Sequence, residues 1–370
     1  MNVFEVTQKV KDIVPCIVKQ HDGYYKFGGN DRLINEIIDI VNESGTARSC
    51  VGALARFTKG NGLQDATLAA AMANPTQSNN AAVAEMALNV GYAQCASYRV
   101  LFHNDGTPAR YYPCPTQHLR RKGKKTFVYN PQFGLHGFRS NENKFLSAFD
   151  PNEQPQARTN RVNLQIQNYG EQLGDIVYHF NKSVGPNYDI YPVPDYYSGS
   201  ADIESDAGVS ILERRNIKRG WKTSMVVSTG PIDRENKDKN GDSQYDKFVR
   251  TIKKFAEEDA AVAVHLEGAT NEAKPTVTTL DIANVLDATD RATDRVGRKV
   301  CRHFNVPPVL VGFSTPGQLG NVTELKNMMD LFRLTVVERQ QLIKEALTIA
   351  FPNFDWTLTT LNLWNETVKV

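Results

Sequence analysis

The sequence predicts an α+β fold divided into several domains. Hydrophobic residues make up 41% and charged residues 23% of a 370-residue chain, which can bury a real core and is too long for one compact domain. Apolar residues recur at helical spacing over long segments, most clearly at Ile282, Val285, Leu286, Ala292, Val296, Val300 and Phe304. Between two such helices lies a small strand-helix-strand-strand module.

Composition narrows the partners before any motif does. Lys and Arg number 43 against 41 Asp and Glu, a balance of +2, which excludes a polybasic nucleic-acid binder and leaves only local or weak DNA contact. The five cysteines (Cys16, Cys50, Cys95, Cys114, Cys301) are odd in number and form no CxxC pair, which argues for a reducing compartment and against a disulfide framework or zinc ribbon. Glu5, Lys9, Lys11 and Asp12 interrupt the N-terminal stretch, so it lacks a signal-peptide core. No run of about 18–20 apolar residues offers a membrane span.

In the first half, Asn30 and Asp31 are expected to cap a helix with Leu33, Ile34, Ile37, Ile38 and Val41 on one face, stopped by Gly45. A second helix is expected from Ser49 to Phe57 and a third, rich in small residues, from Ala81 to Gly91. Tyr98 to Phe102 and Ala109 to Tyr112, joined by Asn104, Asp105 and Gly106, read as a hairpin. Arg120, Arg121, Lys122, Lys124 and Lys125 follow with no acid among them. They read as a solvated hairpin rim or as a phosphate contact, and with no base-stacking pattern alongside, the rim is the expected reading. Residues 133–165 are polar, with Pro151 and Pro155, and are expected to form a long surface loop with little core. GDIVYHF (174–180) is a short strand whose His179 is expected to be packed or hydrogen-bonded.

The second half is better organised. A helix from about Ser198 to Arg219, ended by Gly220, leads into the strand TSMVVSTGP (223–231) and a charged loop. A helix from Ser243 to Glu258 aligns Tyr245, Phe248, Ile252 and Phe255, and the strands AVAVHL (261–266) and TVTTL (276–280) complete the module. Acids exceed bases by two over 230–275, a near balance that suits protein docking better than a DNA clamp. From Asp281 to Asn305 runs the most periodic helix, with acid-before-base pairs Asp287–Arg291 and Asp294–Arg298 at i, i+4. Pro307 and Pro308 halt it. A long helix then opens near Asn321 to Thr323 and reaches about Phe351, and FDWTLTTLNLWNE is expected to be a terminal strand.

Enzymatic motifs are thin, and no cofactor or metal is expected. There is no GxxxxGK[ST] phosphate loop. His265 and Glu267 match half of a deaminase H-x-E motif, but no PCxxC follows. GFSTPG (312–317) places its second glycine one residue late for a nucleophile elbow. The Asp residues of DATDRATD spread around a helix, which suits an ion-paired face rather than a metal site.

RNIKRGWKTSMVVSTG, the small lobe, DATDRATDRVGRKVCRHFNVPPVLVGFST and a polar loop entering NVTELKNMMDLFRLTVVERQQLIKEAL follow one another in an order that resembles the portal proteins of tailed bacteriophages. The resemblance runs from about Gly174 to the C-terminus, with F-x-V-P-P-x-L-x-G (304–312) its most specific block. It implies a portal-like multidomain protomer: wing (1–194), stem helix 1 (195–222), clip (223–279), stem helix 2 (280–305), tunnel-loop region (306–322), and tunnel helix with return to the wing (323–370). Few residues follow Ala350, so a helical crown is expected to be absent or reduced.

The function so implied is a non-enzymatic ring of about twelve copies at one capsid vertex, the channel for DNA packaging and ejection. Its implied partners are double-stranded DNA without sequence specificity, the terminase large subunit, a head-tail adaptor and the major capsid protein. Its implied location is the virion, after assembly in the host cytoplasm. The tunnel loop would be Phe313, Ser314, Thr315, Pro316, Gly317, Gln318, Leu319, Gly320 and Asn321. Those residues carry no charge, as suits a conduit that must not hold DNA, because each cation per subunit recurs in every copy of a ring. Clip docking falls to Asp233, Arg234, Glu235, Lys237, Asp238 and Lys239. The stem charges Lys218, Arg219, Asp287, Asp290, Arg298, Lys299 and Arg302 either face the channel or pair between subunits, also with Glu204 and Asp206, and pairing is the expected reading. The competing function is a nucleic-acid-processing enzyme, or its accessory subunit, that grips phosphate through Arg120 to Lys125.

Overall fold

The computed structural model describes residues 20–21, 23–181, 190–218, 225–229, 232, 234–236, 241–250, 263–267, 276–279, 283–313 and 322–361. The chain divides into two compact units. One holds the residues up to Ile203 and from Lys299 onward, the other Glu204–Arg298.

The first unit begins with the antiparallel pair β1 (Gln20–His21) and β2 (Tyr24–Tyr25), then helices α1 (Leu33–Glu43) and α2 (Gly45–Lys59). Gly45 does not stop the first helix as expected; it begins the second. Ser44 explains this, because its hydroxyl accepts the Ala47 N–H at 3.0 Å and caps α2 at once. Asn30 and Asp31 do not cap α1 either. Arg32 holds that position without a side-chain cap, while Asp31 is buried and accepts the Phe27 N–H at 2.8 Å.

Next come β3 (Gly62–Leu63), α3 (Ala66–Ala70), the small hairpin β4 (Met72–Asn74) and β5 (Gln77–Ser78), and α4 (Asn79–Ala93). The expected hairpin is present as β6 (Cys95–Phe102) and β7 (Pro108–Pro113). β8 (Leu119–Arg121), β9 (Thr126–Tyr129) and β10 (Lys144–Ser147) form a second antiparallel sheet.

Residues 133–165 depart from the surface loop expected of them. Phe133 and Leu146 are buried, β10 pairs with β9, and α5 (Pro155–Tyr169) is a full helix. Pro155 at its first position and left-handed Gly170 after its last turn define the two ends. Polar contacts replace the missing apolar face. Gln165 Oε1 accepts the N–H groups of Leu173 (3.1 Å) and Gly174 (2.9 Å), and its Nε2 donates to the Gly174 carbonyl at 2.9 Å. Arg161 bridges Glu153 and Asp175, both at 2.6 Å.

β11 (Asp175–Phe180) pairs with β6, giving the sheet order β11-β6-β7. Strand alternation sends Ala96, Tyr98, Val100, Phe102 and Val177 into one core with α4, while Ile176 joins Leu119, Phe127 and Leu146 on the other side. The sheet is thus covered on both faces.

Helix α6 (Ser200–Lys218) leads out of this unit. In the second unit β12 (Met225–Thr229) runs parallel to β13 (Ala263–Glu267) and antiparallel to β14 (Thr276–Thr279). Residues 244–250 are helical, and Ser243 with Asp246 makes a reciprocal cap: Asp246 N donates to Ser243 Oγ at 3.1 Å, Ser243 N to Asp246 Oδ2 at 3.0 Å. The rest of the helix expected to Glu258 lies outside the described residues.

α7 (Ala283–His303) returns to the first unit, and α8 (Val322–Ala350) crosses its core. The final strand β15 (Leu358–Thr359) pairs with β3. Gly60 meets it so closely that a Cβ there would strike the Thr359 carbonyl, and its φ of +58° suits glycine.

Candidate functional site

The loop singled out by sequence is described at its two anchors; Ser314 to Asn321 lie outside the described residues. On its upstream side Asn305 takes a φ of +54°, which turns the chain out of α7. Pro308–Val311 form a 3-10 turn and Gly312 follows at φ +95°, with the Phe313 N–H donating to the Pro308 carbonyl at 3.1 Å. The helix is already closed there by the Val306 N–H, which donates to the Cys301 carbonyl at 3.0 Å, and the two prolines, which offer no N–H, keep it from resuming.

The downstream anchor is α8. Phe332 meets Phe57 edge-on at 5.1 Å, and Val336, Ile343, Ala346 and Leu347 are buried. Tyr98 donates its hydroxyl to the Ala346 carbonyl at 2.6 Å, and Gln340 its amide to the Thr58 carbonyl at 3.0 Å. The helix that begins where the loop ends is therefore fixed to α2 and β6 from Phe332 onward.

Where the chain leaves the first unit and returns to it, Asp202 bridges both passages. Its carboxylate accepts from Lys299 Nζ at 3.0 Å and lies 2.9 Å from His303 Nε2. The His303 hydrogen bond first, then Lys299, holds the Asp202 carboxyl below its ordinary range. Gly199 is required beside it, since a Cβ there would run into the His303 ring. Neither Asp202 nor His303 was singled out by sequence. The available signal was an acid in the first turn of α6 and bases in the last turn of α7, each complementing its helix dipole.

The other stem charges distribute unevenly. Arg298 pairs with Asp294 one turn back at 2.8 Å, and Lys299 with Asp202, so these two cations are engaged inside the protomer. Asp290 and Arg302 are exposed, as is Glu204, and Asp206 is buried. Lys218 and Asp287 lie in helices, with side chains outside the described set, and Arg219 lies outside it altogether. Among the docking residues, Arg234 sits 4.4 Å over the Tyr245 ring and Glu235 is exposed; Asp233, Lys237, Asp238 and Lys239 are outside the described residues.

The basic run is only in part the solvated rim expected of it: Lys122 is exposed at the turn between β8 and β9, but Arg120 and Arg121 leave the rim. Arg120 is fully buried and pairs with Asp31 through Nε, while Nη2 donates to the Asp31 carbonyl and Nη1 to those of Gln117 and Leu119. Its guanidinium lies 4.5 Å from the Phe133 ring centre. Arg121 stacks over Phe127 and Tyr178. Lys124 and Lys125 are exposed. His179 is hydrogen-bonded as expected, 3.0 Å from Glu345, and His265 lies in β13 opposite Val227. Among the described residues no helix is long and apolar enough to cross a membrane.

No protein-family model and no curated protein matches this sequence. Solved structures do match. A chain in the neck of an empty gene transfer agent particle, computed with C6 symmetry, is 14% identical with a TM-score of 0.53, covering 90% of this chain and 85% of that one. A chain in the neck of the native particle, computed with C12 symmetry, is 14% identical at a TM-score of 0.51, covering 85% and 79%. An HK97-family phage portal protein from Corynebacterium diphtheriae is 9% identical at a TM-score of 0.50, covering 85% and 91%. With most of this chain and most of each partner covered, this chain has the fold of a phage portal protein.

Proposed function

We propose that this protein is the subunit of a closed ring at one vertex of a virus-like capsid, through which an external motor moves double-stranded DNA. The observation that carries this reading is likeness over 85–90% of the chain to subunits of symmetric particle necks and to a phage portal protein. The subunit works by geometry rather than catalysis. The second unit, with its parallel and antiparallel strands, is the docking lobe for terminase and then for the tail adaptor. Residues 313–321 line the narrowest passage, and the first unit meets the capsid shell. Phe313 to Asn321 carry no charge, so a ring of copies adds no multiplied attraction for phosphate, while their hydroxyl and amide groups exchange contacts through water.

The rival reading, a nucleic-acid-processing enzyme gripping phosphate through the basic run, loses its first residue, because the Arg120 fork is consumed by Asp31 and three carbonyls. Native mass spectrometry and negative-stain imaging of the purified chain separate the two. Annular particles of about twelve copies are expected. A stable monomer with metal-dependent nuclease activity would overturn the proposal.

A further inference from the structure

Cys50 in α2 and Cys301 in α7 are distant in sequence and adjacent in space. Their sulfur atoms are 4.0 Å apart and both residues are fully buried. Cys301 lies just after Lys299, where the chain re-enters the first unit, so the pair joins that re-entry point to the second helix of the fold. Two thiols in contact within a packed interior have their sulfurs about 2 Å further apart than the roughly 2 Å of a disulfide, so joining them takes a short closing movement. We propose that Cys50 and Cys301 are an oxidation site, at which a small peroxide converts the thiol pair into a disulfide that fastens the end of α7 to α2 within the first unit.

The step balances. One thiol sulfur attacks hydrogen peroxide and becomes a sulfenic acid with release of water; the second thiol attacks that sulfur, the S–S bond forms and a second water leaves. Two electrons and two protons pass from the thiols to one peroxide. Exclusion of bulk solvent limits the oxidant to a molecule of this size. The bond would close a loop that contains the whole second unit, so it constrains the unfolded chain strongly and raises stability. It does not depend on the ring reading.

The test treats the folded full-length protein with hydrogen peroxide, blocks remaining thiols with an alkylating reagent, and maps the peptides without reduction. A peptide joining Cys50 to Cys301 is expected, together with a raised melting temperature that dithiothreitol reverses. Both signals are expected to vanish in Cys50→Ala and in Cys301→Ala. Recovery of Cys50 and Cys301 as alkylated thiols, their separate oxidation to sulfinic acids, or their joining to other cysteines would each overturn the proposal. The peptide map is read on the wild-type chain, so the result stands even if a variant folds poorly.

Discussion

Arg120 shows how far a side chain's role departs from its neighbourhood in sequence. Surrounded by four other cations within six residues, it is the one that leaves solvent, and Asp31 is its counter-charge. Asp31 tolerates a φ of +62° because its carboxylate and its carbonyl are both held by that guanidinium. Arg120→Ala leaves a buried carboxylate uncompensated and is expected to cost about 3–5 kcal/mol, read by urea unfolding. Arg120→Lys is not expected to restore it, since one ammonium cannot reproduce the planar fork. Asp202 supplies a pH dependence of definite sign. Its folded-state carboxyl titrates below the unfolded one, so its contribution is present above the unfolded value and is lost as pH falls through the folded value. Melting temperature against pH should therefore fall less on the acid side in Asp202→Asn than in the wild type.

At the scale of elements, periodicity was a sound guide wherever a helix buries an apolar stripe. α1, α4, α7 and α8 stand within a few residues of their expected positions because burying each Leu, Ile or Val is worth about 1.5–3 kcal/mol and leaves a regular trace in the sequence. α5 left no such trace. Its inward residues include Arg158 and Gln165, and Leu164 and Ile166 point to solvent. Gln165→Ala would orphan two N–H groups and a carbonyl at the 173–174 turn, a loss of at least about 1–3 kcal/mol. Thermal unfolding checks the loss, and hydrogen exchange at Leu173 and Gly174 localises it.

At the scale of the whole molecule, α8 ties the proposed passage to the core. Its hydrogen bonds to α2 and β6, at Gln340 and Ala346, anchor the C-terminal half of the helix that follows the loop. Gln318→Lys adds one cation per subunit at that passage, and in a ring of copies the change is multiplied. DNA passage or retention is expected to slow while rings still assemble, measured by packaging or ejection in assembled particles and by imaging of the rings. Failure of assembly with normal DNA handling in the remaining rings would remove the loop from the channel.

By itself the sequence determined the α+β class, the order of the long helices around an inserted lobe, and the uncharged loop, because apolar spacing, proline stops and charge content are local properties of the chain. Only the tertiary structure decided that Arg120 is buried, that α5 exists, that Asp202 clasps the returning helix and that Cys50 touches Cys301. Each of these rests on partners far apart in the chain, Arg120 with Asp31 or Cys50 with Cys301, whose polar or thiol contacts no periodic pattern records.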